Sequence, residues 1–227
     1  MASLILSGWA QPADALRMLD EDAVAFDYSD HAPEQALQEL KNFGHAKHVI
    51  GWSTGGYLAL QAVAQGILKP QHLTLIAAPY QFVSSEHIKG MDPLTFSQFR
   101  ENYETNPART KTRFHALVAK GDARSTRILD QLTHHPEVEE TARWLPWLDY
   151  LAKHSLADTL LANTPPTLMI HGMNDAVVPF SQSAHLAKAL PHATVSAWQD
   201  VGHAPHLHDS ARLRTEIEAH RNAKVAA

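Results

Sequence analysis

The chain has 227 residues and is 44% hydrophobic, which suits one well-buried domain with room for an insertion. Its formal net charge is -5, so it lacks an overall basic field with which to hold nucleic acid or an anionic membrane. It contains no cysteine, which excludes disulfide bonds, a thiolate nucleophile and cysteine-ligated metal sites.

Short apolar runs alternate with helical patterns from the first residues onward. The opening MASLILSGWAQP has no basic stretch and only a short apolar run, so it predicts a strand rather than a signal peptide or a membrane span, and we expect a cytoplasmic protein. The segments that follow are AVAFDYS, PEQALQELKNF, HVIGWS, GGYLALQAVAQG and LTLIAAPY. This βαβ alternation predicts a mostly parallel sheet with helices on both faces.

The middle of the chain, residues 81–158, has apolar residues at helical spacing in each of its segments. Its segments are LTFSQFRENYE, ARTKTRFHALVAK, ARSTRILDQLTHH and EVEETARWLPWLDYLAKH, and they predict an inserted helical cap. The strand and helix alternation then resumes with PTLMIHG, SAHLAKAL, TVSAWQDVG and SARLRTEIEAH. We therefore expect residues 1–80 and 159–227 to share one sheet, with the carboxyl-terminal RNAKVAA frayed.

A serine stands between glycines in GWSTGG, residues 51–56, where a predicted strand passes into a predicted helix. Glycines at such a junction permit a tight, strained turn that lifts the serine hydroxyl above the edge of the sheet. The five-residue pattern alone fits a plain glycine turn equally well, but the strand and helix on either side favour a nucleophile. Ser53 is the predicted nucleophile.

A serine hydroxyl needs a histidine base that is oriented by a carboxylate, and both follow in the chain. Asp175 lies in the loop after one predicted strand, and His203 directly follows Gly202 after the last one. The histidines at positions 206 and 208 compete with His203, and a metal site built from the three histidines is a further alternative. Asp200 is a rival acid that we expect to point away from the ring.

Two backbone N–H groups are needed to stabilise the oxyanion of an acyl-transfer reaction. One comes from the residue after the nucleophile, which is Thr54. The other comes from the loop after an early strand, where the matching residue is Trp9. We expect the Trp9 indole to cover the acyl pocket as well. A structural tryptophan in the core is the alternative for Trp9.

Four motifs, SGW, GWSTGG, GMNDAVVP and GHAPHLH, together resemble the α/β-hydrolase superfamily over nearly the whole chain. Within it they are similar to the pimeloyl-[acyl-carrier protein] methyl ester carboxylesterases of biotin synthesis. The resemblance implies an α/β-hydrolase fold, a serine carboxylesterase that uses no cofactor, and Ser53, Asp175 and His203 as its catalytic triad. We expect a monomer that acts on an acyl ester.

The predicted cap extends the resemblance to substrate and partner. The segment RFHALVAKGDAR is similar to that family's cap helix, which implies that an acyl channel is lined by Phe114, His115, Ala116, Leu117 and Val118. Arginines of the family's cap grip an acyl carrier protein, and the matching positions are Arg109, Arg113, Arg124 and Arg127. Pairs of like charge four residues apart weaken a helix slightly, which suggests an external anion. A solvated helix face is the alternative.

Two departures from the family pattern affect the expected substrate and sheet. Ser7 stands where the family usually has histidine, and the chain begins at the first strand without the usual preceding hairpin, so we expect a sheet shortened at the amino terminus. Fold and triad do not fix the substrate, so a general carboxylesterase, a thioesterase and a hydrolase of cyclic diketones stay open. A non-catalytic binding module is the alternative outside enzymes.

Overall fold

The computed structural model of the protein describes residues 3–134 and 142–223. Six strands form one sheet in the order β2-β1-β3-β4-β5-β6, and every neighbouring pair runs parallel. They are β1 (Leu4–Leu6), β2 (Val24–Ala25), β3 (His48–Trp52), β4 (His72–Ile76), β5 (Thr167–Gly172) and β6 (Ala193–Trp198). Strands β1, β3 and β5 are buried at every position, as expected where helices cover both faces, so the predicted parallel sheet is confirmed.

Nine α-helices lie within the described residues, and nearly all of them fall in predicted helical segments. Those that follow or connect strands are α1 (Pro33–Glu39), α2 (Thr54–Ala64), α7 (Gln182–Ala189), α8 (Pro205–His208) and α9 (Ser210–Asn222). Only the short α8 was not predicted. In residues 3–134 and 142–223 no helix is long and apolar enough to cross a membrane.

The other four helices come between β4 and β5, inside the predicted cap segment. They are α3 (Pro93–Thr105), α4 (Pro107–Ala119), α5 (Ser125–Thr133) and α6 (Leu145–Lys153). The two ends of the segment lie side by side, since Gln81 pairs with Ser155 in an antiparallel bridge and the Leu156 amide donates to the Tyr80 carbonyl at 2.9 Å. A chain that leaves and rejoins the sheet at one place suits an inserted unit, although the domain boundaries stay a prediction.

Some predicted segments differ from the structure or extend beyond the described residues. The segment AVAFDYS forms only the two-residue strand β2, because the Asp27 carboxylate accepts the Ser29 amide at 3.0 Å and turns the chain away from the sheet. Residues 137–141 of the last predicted cap helix and residues 224–227 of the predicted frayed terminus lie outside the described residues.

His48, the first residue of β3, is buried at the end of the strand opposite Ser53. Its Nε2 lies 2.9 Å from the Thr74 hydroxyl, and its Nδ1 lies 3.4 Å from the Ser3 hydroxyl. Burial, aided by the charge of Arg221 and by His72, lowers the pKa of His48 to about 3. The folded protein therefore holds this imidazole neutral at pH values where an unfolded chain takes up a proton.

We expect this histidine to make the protein less stable in acid. Below pH 6.5 the unfolded chain protonates His48 and the folded chain does not, so the free energy of unfolding falls by up to about 1.4 kcal/mol per pH unit as pH drops toward 3. His48→Gln should flatten this slope in urea denaturation series at pH 7, 6 and 5. The exposed His45→Gln should keep the wild-type slope, and equal slopes for the two variants would contradict the prediction.

Candidate active site

Ser53 occupies a strained turn between β3 and α2. Its backbone has φ 51 and ψ -118, a conformation that residues with side chains rarely adopt. The turn is tight because α2 starts directly against β1: a Cβ on Gly55 would come within 2.1 Å of the Leu6 carbonyl oxygen. The glycines therefore permit the contact, and the serine hydroxyl stands at the carboxyl end of the sheet, as predicted.

Ser53, His203 and Asp175 lie in one line of hydrogen bonds. The Ser53 Oγ is 2.9 Å from Nε2 of His203, and Nδ1 of His203 is 2.7 Å from Oδ2 of Asp175. The three residues follow the carboxyl ends of β3, β6 and β5 respectively, which meet at one edge of a parallel sheet. All three are buried, so their hydrogen bonds are shielded from water.

The surroundings of Asp175 keep it ionised. Its Oδ1 accepts the backbone amides of Val177 and Val178 at 2.8 and 2.9 Å. Burial alone would raise the pKa of Asp175, but the charge interaction with His203 and hydrogen bonds from His171 and His203 outweigh it and hold the pKa well below the usual range. An ionised Asp175 accepts the Nδ1 proton of His203, which leaves Nε2 free to accept the Ser53 proton.

The rival residues have other partners. His206 packs against the Trp52 ring with centroids 4.3 Å apart, and Nδ1 of His208 lies 2.8 Å from Oδ1 of Asp122. Asp200 is exposed in a turn with φ 57 and does not contact the His203 ring. Among the described residues, no group of three or more histidine or acidic side chains is arranged to hold a metal ion.

Trp9 and Thr54 both border the cavity in front of Ser53. Within residues 3–134 and 142–223 neither of their backbone amides donates to a protein acceptor, which leaves both free for an oxyanion. The Trp9 indole donates to the Trp144 carbonyl at 3.1 Å and packs edge-on against Phe99, Tyr103 and Phe114. Trp9 is thus a packed core residue and a cavity wall at once, and its oxyanion role stays a prediction.

The cavity is narrow, with an accessible volume of about 10 Å³, and half of its eight lining residues are aromatic. Its walls are Trp9, Ser53, Thr54, Phe82, Phe99, Phe114, Leu148 and Leu151. The sequence analysis missed the contributions of Phe82 and of helices α3 and α6, because no local pattern distinguishes a residue that lines a cavity from one that fills the core.

The predicted acyl channel stays a prediction, and only part of it lies at this cavity. Of its five residues only Phe114 lines the cavity. His115 turns to Gln11, whose amide nitrogen lies 3.1 Å from Nε2 of His115, and Ala116 is exposed. Leu117 and Val118 are not among the cavity walls either. Consecutive residues of an α-helix point about 100° apart, so five in a row cannot face one cavity.

Comparison with known proteins identifies the family of the chain. The sequence profile of the alpha/beta hydrolase family matches residues 7–216. The chain belongs to this family. An esterase from Exiguobacterium antarcticum has the same fold, with a TM-score of 0.77 over 98% of this chain and 94% of that one, at 16% identity.

Curated relatives share more of the sequence of this hydrolase. The pimeloyl-[acyl-carrier protein] methyl ester esterase of Aromatoleum aromaticum is 32% identical over 168 residues, which are 70% of this chain and 67% of that protein. The protein of the same name from Vibrio parahaemolyticus is 26% identical over 88% of this chain and 83% of that protein. The biotin biosynthesis bifunctional protein BioHC of Teredinibacter turnerae is 30% identical over 82% of this chain, but the match spans only 35% of its length.

The turn after α4 connects the cap segment of this hydrolase to the loops that carry its triad. The buried Asp122 accepts the Gly202 amide at 3.0 Å, one residue before His203. The Val118 carbonyl accepts the His203 amide at 3.3 Å, and the Gly121 carbonyl accepts the Asn174 side-chain amide at 3.0 Å. We call residues 118–124 the cap turn. The sequence analysis did not identify Asp122, which carries no motif of its own.

The four predicted carrier-contact arginines are exposed. Arg109 and Arg113 lie on α4, and neither side chain forms an ion pair within the described residues. Arg124 differs, because its guanidinium donates to the His208 carbonyl and so joins the cap turn to the core. The acidic Glu104 on α3 forms an ion pair with Arg100 at 3.0 Å. The carrier role of the arginines stays a prediction.

Proposed function

We propose that this hydrolase is a serine carboxylesterase that cleaves the methyl ester of pimeloyl-[acyl-carrier protein]. The observation that carries the proposal is the continuous hydrogen-bonded line from Ser53 through His203 to Asp175, opening on an aromatic cavity. The curated relatives named for this reaction supply the substrate.

The geometry suits a two-step acyl transfer. Ser53 attacks the ester carbonyl while Nε2 of His203 takes its proton, and the C–O bond then breaks as His203 returns that proton to the departing methanol. Water next enters, gives a proton to His203 and attacks the acyl-enzyme, and His203 hands the proton back to Ser53. The products are one acid and one methanol, so atoms balance.

The amides of Trp9 and Thr54 would stabilise the negative charge that forms on the carbonyl oxygen. Such donors are most effective when they are fixed before the reaction, because no reorganisation is then needed as the charge develops. Thr54 is fixed as the first residue of α2, and Trp9 by four aromatic rings and its indole hydrogen bond.

The cavity favours an acyl chain over a charged or bulky group. Apart from Ser53 and Thr54 its walls are aromatic or leucine side chains, and each buried methylene contributes about 0.8 kcal/mol. Its accessible volume of about 10 Å³ is far smaller than the roughly 300–1,000 Å³ of typical ligand pockets. We therefore expect helices α3 and α6 to move outward when a pimeloyl chain enters.

A general carboxylesterase or thioesterase for short to medium acyl chains is the second candidate. The same triad and apolar cavity would serve it, because His203 can return its proton to a departing alcohol or thiol of any kind. A non-catalytic binding module is less compatible with three side chains held in hydrogen-bonded line.

The proposal is tested by measuring kcat/KM of the purified enzyme for three substrates. They are the methyl ester of pimeloyl-[acyl-carrier protein], the dimethyl ester of free pimelic acid, and an acyl thioester. A strong preference for the carrier-linked methyl ester supports it. Equal or better turnover of the free ester or thioester would assign the enzyme to the second candidate. Failure of a fluorophosphonate probe to label Ser53 would favour a binding module.

Charge reversal on α4 tests the carrier surface separately. Arg109→Glu with Arg113→Glu should raise KM for the carrier-linked ester about tenfold and weaken its salt dependence, because exposed charges mainly govern the encounter with an acidic partner. Turnover of the free ester should stay within about twofold, since it does not touch this surface.

The matched control reverses the charge of two exposed lysines outside the cap segment, Lys41→Glu with Lys47→Glu. It changes the net charge of the protein by the same amount. The control should leave both substrates unaffected. Equal loss on both substrates by the arginine variant would mean damage to the cap segment, and no loss on either would remove the arginines from the carrier surface.

A further inference from the structure

Asp175 is held by two histidines and not only by the one next to Ser53. His171 lies on β5, four residues before Asp175, and is buried. Its Nε2 is 3.2 Å from Oδ2 of Asp175, the same oxygen that accepts Nδ1 of His203 at 2.7 Å. The mechanism outlined above gives His171 no role.

The partners of His171 fix which ring nitrogen carries its proton. Nε2 also lies 2.9 Å from the Val178 carbonyl, and neither that carbonyl nor an ionised carboxylate can donate, so Nε2 must carry the proton. Nδ1 lies 2.9 Å from the Ser183 hydroxyl, which can donate to it. The neutral ring thus has a defined tautomer and a partner on both sides.

His171 also closes a small ring of hydrogen bonds around the carboxylate. Val178 donates its amide to Oδ1 of Asp175 at 2.9 Å and accepts the His171 proton with its carbonyl. The Phe180 ring packs edge-on against the His171 ring with centroids 5.7 Å apart. Rotation of the carboxylate about its χ angles would therefore break its hydrogen bonds to the loop amides and move Oδ2 away from the His171 N–H.

We propose that His171 is a positioning residue that fixes Oδ2 of Asp175 where it can accept the His203 proton, an inference that rests on the proposed function. A carboxylate held only by His203 could follow that ring as it moves. The His171 N–H, which donates to the Val178 carbonyl at 2.9 Å, also lies 3.2 Å from this oxygen and opposes such movement, so Nε2 of His203 stays directed at Ser53. Ser183 on α7 in turn orients the His171 ring.

The experiment compares a variant that keeps a donor with one that lacks it. His171→Gln places an amide N–H close to the position of Nε2, whereas His171→Phe keeps a flat ring without a donor. The readouts are the rate constant for fluorophosphonate labelling of Ser53, and kcat and KM for a small free ester. Labelling reports activation of the serine whatever the natural substrate is.

We expect His171→Phe to slow labelling and lower kcat by about 10- to 100-fold with KM nearly unchanged, as is typical of groups that orient a reacting residue. His171→Gln should recover most of both rates. Loss of folding alone predicts no such recovery and no split between kcat and KM. His185→Leu, a histidine variant on α7 away from the triad, should label at the wild-type rate.

Labelling of His171→Phe within about twofold of wild type would overturn the inference, as would equal losses in the Gln and Phe variants. If His171→Phe does not fold, His171→Leu replaces it with the same expected outcomes. Absence of serine hydrolase chemistry is recognised separately, because the wild-type protein itself would then not label at Ser53. Failure on the carrier-linked ester alone would leave the labelling comparison unchanged.

Discussion

Ser53→Ala should lower ester turnover by about 10⁴-fold or more while leaving the fold intact. The substitution removes only the hydroxyl, which lies 2.9 Å from Nε2 of His203. His203→Ala should cost a similar factor, and Asp175→Asn should also act strongly, because the amide cannot accept two backbone amides and a histidine proton as the carboxylate does. The measurement is kcat/KM for a small free ester.

The three effects should not add, since the residues act as one unit. A double variant that lacks both Ser53 and His203 should be no slower than the slower single variant. Ser181→Ala is the matched control, because Ser181 is exposed and its side chain makes no capping hydrogen bond to α7. More than about a tenth of wild-type activity in Ser53→Ala would rule out the mechanism.

Gly55→Ala should have the largest effect on folding. An added Cβ would lie 2.1 Å from the Leu6 carbonyl oxygen and 2.3 Å from that of Ser7, and both atoms belong to the backbone of the buried strand β1 or the residue after it. Neither can move aside as a flexible side chain would. We expect a loss of at least about 3 kcal/mol in the free energy of unfolding, or no folded protein at all.

Gly44→Ala provides the comparison for urea denaturation. Its φ of -58 suits alanine, and the nearest atom to an added Cβ is the Lys41 carbonyl oxygen at 3.3 Å. It should change stability by less than about 1 kcal/mol. A Gly55→Ala protein as stable as Gly44→Ala would mean that α2 can shift away from β1, against the close contact described.

The fold was predictable because its signals are local and repeated. Strands such as β3 and β5 are largely apolar runs, as expected of strands buried on both faces. The cap helices α3 and α4 each begin with a capping residue, Asp92 or Asn106, followed by proline. The length of strand β2 was overestimated, because the hydrogen bond from the Ser29 amide to the Asp27 carboxylate ends the strand early. The apolar pattern of the segment does not predict that hydrogen bond.

The site was predictable in part. Ser53, Asp175 and His203 each directly follow or lie shortly after a strand, so the parallel sheet brings them to one edge, where they lie within hydrogen-bond distance. His171 and Asp122 were missed because their partners depend on how loops distant in sequence fold back. The role of the run after Phe114 stays a prediction, because a sequence resemblance covers every face of a helix and only one face meets the cavity.

The cap turn has a consequence for engineering. Because Val118 and Asp122 bind the backbone around His203, and Gly121 binds Asn174 beside Asp175, these residues belong functionally to the core although they lie in the middle of the cap segment. A graft of a foreign cap between the two ends of the insertion would remove these anchors together with the helices. Specificity is better redesigned by exchanging α3 and α6 separately, with the native cap turn retained as a fixed joint.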